Sequence, residues 1–215
     1  MAGRGTGALA GSLSSKGRAR RQHILVMALQ VFIDQGYANF SLRNVARQAR
    51  ISVGNLHYYF PNKEALLAEV FDSVREDYAE QFAALLADAG ESPRERFVAV
   101  IGYLIRDLES NRTSTFFPEL WALANHEPAA AELMDRLYAW EHERIAELVQ
   151  ALAPELDGDR LETLVLFISA SIEGLTMFLG SGKPHARLVE PTVALALASY
   201  LEQVERARQA AVLAG

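Results

Sequence analysis

Apolar residues recur every three or four positions through most of this chain, and no stretch alternates apolar and polar residues over the length of a strand. Ile24, Leu25, Ala28, Leu29 and Phe32 form one stripe and predict a helix over residues 18–35, ended by Gly36. Two short pieces follow. Leu42, Val45, Ala46 and Ala49 share a face of the first, and Leu56 and Phe60, four apart, point inward together from the second. Ser41 and Ser52 stand just before these runs, where a side-chain oxygen accepts from an unpaired backbone N–H. Asn62 plays the same part for a long helix in which Leu66, Leu67, Val70, Phe71, Val74, Tyr78, Phe82 and Leu85 keep helical spacing to about Ala89. Gly90 and Ser92-Pro93 are expected to close it. Five more helical segments are expected over 97–108, 114–125, 129–152, 159–179 and 191–211, with breaks at Pro128, Pro154, Gly180 and Pro184. The fold class is therefore all-α. Residues 1–17, rich in Gly, Ser and Ala and without periodicity, are expected to be a disordered tail whose Arg4 and Lys16 can brush a minor groove.

Composition narrows the picture. Half of the 215 residues are apolar, ample for a core. There is no cysteine, so disulfides, thiolate zinc sites and cysteine nucleophiles are excluded, which suits a reducing cytoplasm. No uninterrupted apolar run reaches the roughly 18–20 residues of a membrane span, because Glu162, Thr163, Ser169, Ser171, Glu173 and Thr176 break up residues 161–179. The basic N-terminus lacks the apolar core of a secretion signal. The net charge of −6 conceals an asymmetry: residues 1–63 hold nine Lys or Arg and one acid, a net +8, against −14 for the remainder. A basic head on an acidic body fits a polyanion-binding module joined to a domain with another task.

Chemistry for that polyanion lies in residues 41–63. Once Leu56 and Phe60 turn inward, Val53, Gly54, Asn55, His57, Tyr58 and Tyr59 are left for the outer face and flanks, without one carboxylate among them. Gly54 lets a backbone approach, Asn55 and His57 can reach base edges, and tyrosine hydroxyls can reach phosphate oxygens. Lys63 adds a cation at the start of the next helix. Three stretches, R-R-Q-H-I-L-x-x-A-L-x-x-F, G-Y-A-N-F-S-L-R-N-V-A and N-L-H-Y-Y-F-P-N-K-E-A-L-L, resemble the helix-turn-helix head of the tetracycline-repressor (TetR) family of transcriptional regulators. The resemblance covers Arg20 to about Val70, and the aromatic run followed by P-N-K-E-A-L-L is its most specific part. Two positions depart from the family pattern. Arg50 stands at a turn often occupied by Gly, where a left-handed backbone costs about 1 kcal/mol more than with Gly. Val53 replaces a commonly polar residue and would read a thymine methyl.

The resemblance implies a three-helix DNA-binding domain over 18–64 and a helical effector-binding and dimerisation domain over 65–215. On that expectation, Val53, Gly54, Asn55 and His57 approach bases, Arg43 reaches a base or phosphate, and Ser41, Tyr58, Tyr59 and Lys63 anchor phosphates. The partners are a palindromic double-stranded operator, a small organic effector and a second copy of the chain, with no membrane. Phe116, Phe117, Leu120 and Trp121 cluster on one segment, and with Tyr103, Tyr138 and Met177 they form an expected effector pocket. Leu164, Phe167, Ile168, Ser171, Ile172 and Leu175, with Leu195 and Ser199, carry more apolar surface than one subunit can bury and are expected to form a dimer seam.

Catalytic and metal chemistry find no footing. His142-Glu143 lacks the second histidine of H-E-x-x-H, and no Walker loop, G-x-G-x-x-G or G-x-S-x-G occurs, so no enzyme, metal or cofactor is expected. Two alternatives remain beside a cytoplasmic, ligand-released repressor. One is an effector-independent or architectural DNA-binding regulator. The other is an all-α enzyme or adaptor that carries the same head.

Overall fold

A computed structural model describes residues 14–214. Every regular element among them is helical. Helix α1 (Ser15–Asn39) starts three residues ahead of the expected Arg18, because the Ser14 hydroxyl accepts from the Gly17 N–H at 3.2 Å. Residues 15–17 are thus helical rather than part of the expected tail. Residues 1–13 of that tail, Arg4 included, lie outside the described residues. Gly36 interrupts α1 with φ 70 and ψ 171, a backbone that glycine adopts without strain. A Cβ at Gly36 would also meet Glu119 Oε1 at 2.9 Å.

Then follow α2 (Leu42–Gln48), α3 (Val53–Tyr59), α4 (Lys63–Asp88), α5 (Pro93–Asp107), α6 (Asn111–Ala124), α7 (Pro128–Leu152), α8 (Gly158–Leu179), a single 3-10 turn (Ala186–Leu188) and α9 (Val189–Ala214). Two starts differ from the periodicity. Helix α5 begins four residues before Phe97, since Ser92 caps it and Pro93 occupies its first turn. That pair opens a helix rather than closing one, as a proline whose missing N–H would have been unpaired anyway can do. Helix α6 begins at Asn111 because the Ser110 hydroxyl accepts from the Thr113 N–H at 3.1 Å.

The chain forms two compact units: the described part of Met1–Asp77 with Glu119–Met134, and Tyr78–Pro118 with the described part of Asp135–Gly215. The first has its core in Phe32, Phe40 and Phe71, which meet edge to face at 5.9 and 6.2 Å, with Val45, Leu56, Phe60 and Leu66 closed around them. In the second, α5 approaches α9 at Gly102, where a Cβ would lie 3.6 Å from Leu197 Cδ1. Helix α8 buries Val165, Ile168, Ile172 and Leu179 there. By length and composition α8 is apolar enough to cross a membrane, its interrupting polar residues notwithstanding, with a mean hydropathy of 1.5 over 18 residues. Only a third of that window is buried within the chain, so much of its apolar surface faces outward.

Candidate functional site

The head is built from two capped helices and a turn. Ser41 Oγ accepts from the Asn44 N–H at 3.2 Å and opens α2; Ser52 Oγ accepts from the Asn55 N–H at 3.1 Å and opens α3. Between them Arg50 adopts φ 53. The Arg50 N–H donates to Arg47 O at 3.2 Å and the Ile51 N–H to Ala46 O at 3.0 Å, the paired closure of a Schellman turn. Arginine here takes the left-handed place that glycine most easily fills, and its side chain is exposed.

Buried Leu56 and Phe60 pin α3 from below, with Val45, Ala46 and Ala49 of the α2 side beneath. The opposite side carries Val53, Gly54, Asn55, His57 and Tyr58, all exposed, and the space above Gly54 is open. Tyr59 is half-buried, edge-on to Tyr58 at 5.1 Å. His57 Nδ1 lies 3.1 Å from Pro61 O, a carbonyl that can only accept. Nδ1 therefore carries a proton and donates it to that carbonyl. Arg43, Arg47 and Arg50 are exposed beside this face.

Lys63, expected at a phosphate, is engaged inside the unit, and so is Arg21. Lys63 Nζ sits 3.4 Å from the Tyr37 ring centroid and donates to Tyr37 O at 3.4 Å. Partial burial lowers its pKa, against the opposing pull of Glu64 and Glu127. Arg21 pairs with Glu69 at 2.6 Å and lies over Phe60. The Glu119 carboxylate, 82 residues further along the chain, accepts from the Tyr37 N–H at 2.7 Å. Asn62 Oδ1 caps α4 through the Ala65 N–H at 2.7 Å.

In the second unit a cavity of about 30 Å³ is walled by Tyr78, Phe82, Phe117, Trp140, Glu141 and Glu173, among others. Of the seven residues expected to line an effector pocket, Phe117 does so. Tyr103 and Tyr138 stand behind the wall, their rings 6.3 Å from Tyr78 and 6.4 Å from Phe117. Phe116 is buried against Phe117, while Leu120 and Trp121 belong to the other unit. Met177 is 60% exposed and is not part of this wall. The Tyr78 hydroxyl donates to Asp107 Oδ2 at 2.7 Å; burial, and then the Asp107 charge, push its pKa well up. Ser169 Oγ donates to Glu141 Oε1 at 3.0 Å. Burial raises the Glu141 carboxyl to about 7, and burial together with the Glu141 charge raises Glu173 to about 8. Periodicity had no means of finding this acid pair.

The expected dimer seam divides in two. Ile168 and Ile172 turn into their own subunit, and Leu164, Ser171, Leu175 and Ser199 are half-buried. The outward apolar stripe is instead Leu166, Phe167, Ala170, Gly174, Met177 and Phe178 of α8, with Leu195 of α9, which is 72% exposed. Phe167 and Leu195 are shared with the expected seam; Leu166, Met177 and Phe178 are not.

Comparison with known proteins gives the same parts. Residues 24–70 match the family described as bacterial regulatory proteins, tetR family, and residues 93–204 match the C-terminal domain of BetI-type transcriptional repressors. The HTH-type transcriptional regulator BetI 1 of Chromohalobacter salexigens is 24% identical over 87% of this chain and 91% of its own length. The HTH-type regulator BetI of Stenotrophomonas maltophilia is 28% identical over 53% of this chain and 59% of its own length. Salmonella enterica GusR has the same fold, with a TM-score of 0.72 at 19% identity over 89% of this chain and 98% of that one. With a capped helix-turn-helix head and a BetI-type helical body, the chain belongs to the TetR family of DNA-binding transcriptional regulators.

Proposed function

We propose that the protein is a homodimeric, ligand-released repressor that acts in the cytoplasm and binds a palindromic operator. The observation that carries this reading is the carboxylate-free face of α3, held outward by Leu56 and Phe60 on the opposite side. A seven-residue helix of this kind enters a major groove with its first turn leading. Gly54 admits the backbone closely. Val53 meets a thymine methyl, and Asn55 takes an adenine edge. His57, exposed on the same face, presents Nε2 to a base edge. Tyr58, Tyr59 and Arg43 hold phosphates, as does the Ser41 hydroxyl, whose proton is still free to donate beyond its cap. Lys63 acts differently: it fixes Tyr37 beside the head rather than meeting phosphate itself.

A second copy of the chain covers the stripe from Leu166 to Phe178, where Ala170 and Gly174 allow two α8 helices to approach closely. Two heads on one two-fold axis select a palindrome. Helix α4 supplies both core residues of the first unit (Leu66, Val70) and cavity wall of the second (Tyr78, Phe82). An effector beside Tyr78 and Phe82 therefore acts on the element that bears Lys63, and releases operator to the extent that it prefers the released state.

Enrichment of bound sites from random duplex tests this. The reading expects an inverted repeat, and loss of its base preference at one position per half-site with Asn55→Ala. Enrichment of no common sequence, or of an unrepeated one, overturns it.

A further inference from the structure

The cavity between α4 and α8 has an unusual polarity. Its residues include two carboxylates, Glu141 and Glu173, and the aromatic rings of Tyr78, Phe82, Phe117 and Trp140, but no Lys, Arg or His. Glu141 is nine-tenths buried. One of its oxygens accepts from Ser169, and Tyr138 bonds Glu173, which leaves acceptor capacity on both carboxylates. A volume of about 30 Å³ admits a water or an ammonium head and little more. A second cavity of about 350 Å³, lined by Ala79, Leu86, Val100 and Leu148 together with the charged Arg96, Arg144 and Glu147, shares the Phe82 and Trp140 rings as a common wall. Those rings stack at 5.6 Å and 22°.

We propose that the body recognises a primary alkylamine: its ammonium lies between Glu141 and Glu173, and its hydrocarbon chain crosses the Phe82–Trp140 partition into the larger cavity. The cation supplies what the wall lacks. It brings one positive charge for two carboxylates, three N–H donors for their spare oxygens, and a charge that aromatic faces attract. Without it, the two acids are held together only by keeping protons, as their raised pKa values reflect. The chain must turn Trp140 or Phe82 aside, so occupancy is coupled to α4 through Phe82. The inference deepens the reading above and rests on it, since it names the effector class of the same regulator.

Titration calorimetry of the full-length protein with n-hexylamine at pH 8 tests the proposal. Saturable binding of one amine per chain is expected. Affinity should rise about fourfold per methylene from methylamine to hexylamine as the chain fills the larger cavity. Hexan-1-ol, hexanoate and hexyltrimethylammonium should each bind at least tenfold more weakly, the last because it has no N–H to donate. In protein carrying Trp121→Phe, the remaining emission comes from Trp140 and should change on binding. The neutral isosteres E141Q and E173Q together should weaken hexylamine at least tenfold. Equal binding of the alcohol or of the trimethylammonium, unchanged Trp140 emission, undiminished binding by the double variant, or no binding at all would each overturn the proposal. The ligand series on unaltered protein keeps it testable if the variant does not fold. Operator binding is measured apart, so protein that holds operator and ignores amines sinks this inference alone.

Discussion

Glu141→Gln should make the protein more stable as pH rises, and the size of the effect follows from burial. Glu141 lies within the second unit with one hydroxyl partner and with Glu173 as neighbour. Burial raises its carboxyl from an ordinary 4.5 to about 7. A raised folded-state pKa means that the folded chain keeps a proton which the unfolded chain loses. Its stability contribution is therefore whole below about pH 4.5 and declines as pH climbs through about 7. At 1.36 kcal/mol per decade, that is at most about 3 kcal/mol. Gln keeps the Ser169 hydrogen bond and has no proton to lose. It also removes the charge that helps raise Glu173. Urea midpoints of both proteins at fixed concentration, from pH 5 to pH 8.5, should nearly coincide at the acid end and separate by up to about 3 kcal/mol in favour of the variant at the alkaline end. Taking the difference cancels His142, whose pKa burial lowers, and Tyr78 titrates above this range. Parallel profiles, or a wild type that gains on the variant with rising pH, would refute the reasoning.

Other outcomes follow from the head and the stripe. Arg50→Gly relieves a left-handed arginine and should raise stability by about 1 kcal/mol in urea unfolding, less the entropy that glycine adds to the unfolded chain. Leu56→Ala empties a fully buried position under α3 and should cost about 2–5 kcal/mol by the same assay. Arg43→Ala should lower the slope of log affinity against log salt for operator by about 0.9, whereas Lys63→Ala should leave the slope unchanged, because its ammonium is spent on Tyr37. Leu166→Glu combined with Phe178→Glu alters only exposed residues, so the fold should survive while sedimentation shows a monomer at micromolar concentration.

Local features of the head were readable in the chain. Ser41, Ser52 and Asn62 cap the helices they precede, and Leu56 and Phe60, one turn apart, are both buried. Such signals need only neighbours in sequence. Long-range partnerships left no trace: Glu119 reaches the Tyr37 N–H across 82 residues, and the Glu141–Glu173 pair exists only because α7 and α8 lie together. Helix α8 was hard to orient for another reason. Apolar on nearly every side, it has no polar stripe to mark which face looks out, so its periodicity does not separate the buried Ile168 and Ile172 from the exposed Leu166, Met177 and Phe178. Ser92-Pro93 was legible but ambiguous, since the same pair can end one helix or begin the next.

The central claim is that two copies of this head act together on one operator. Sedimentation equilibrium of the protein with an enriched duplex measures that directly. The account predicts two chains per palindromic duplex, and a large loss of affinity when one half-site is scrambled. One chain per duplex, bound as tightly with a single half-site as with two, would contradict it.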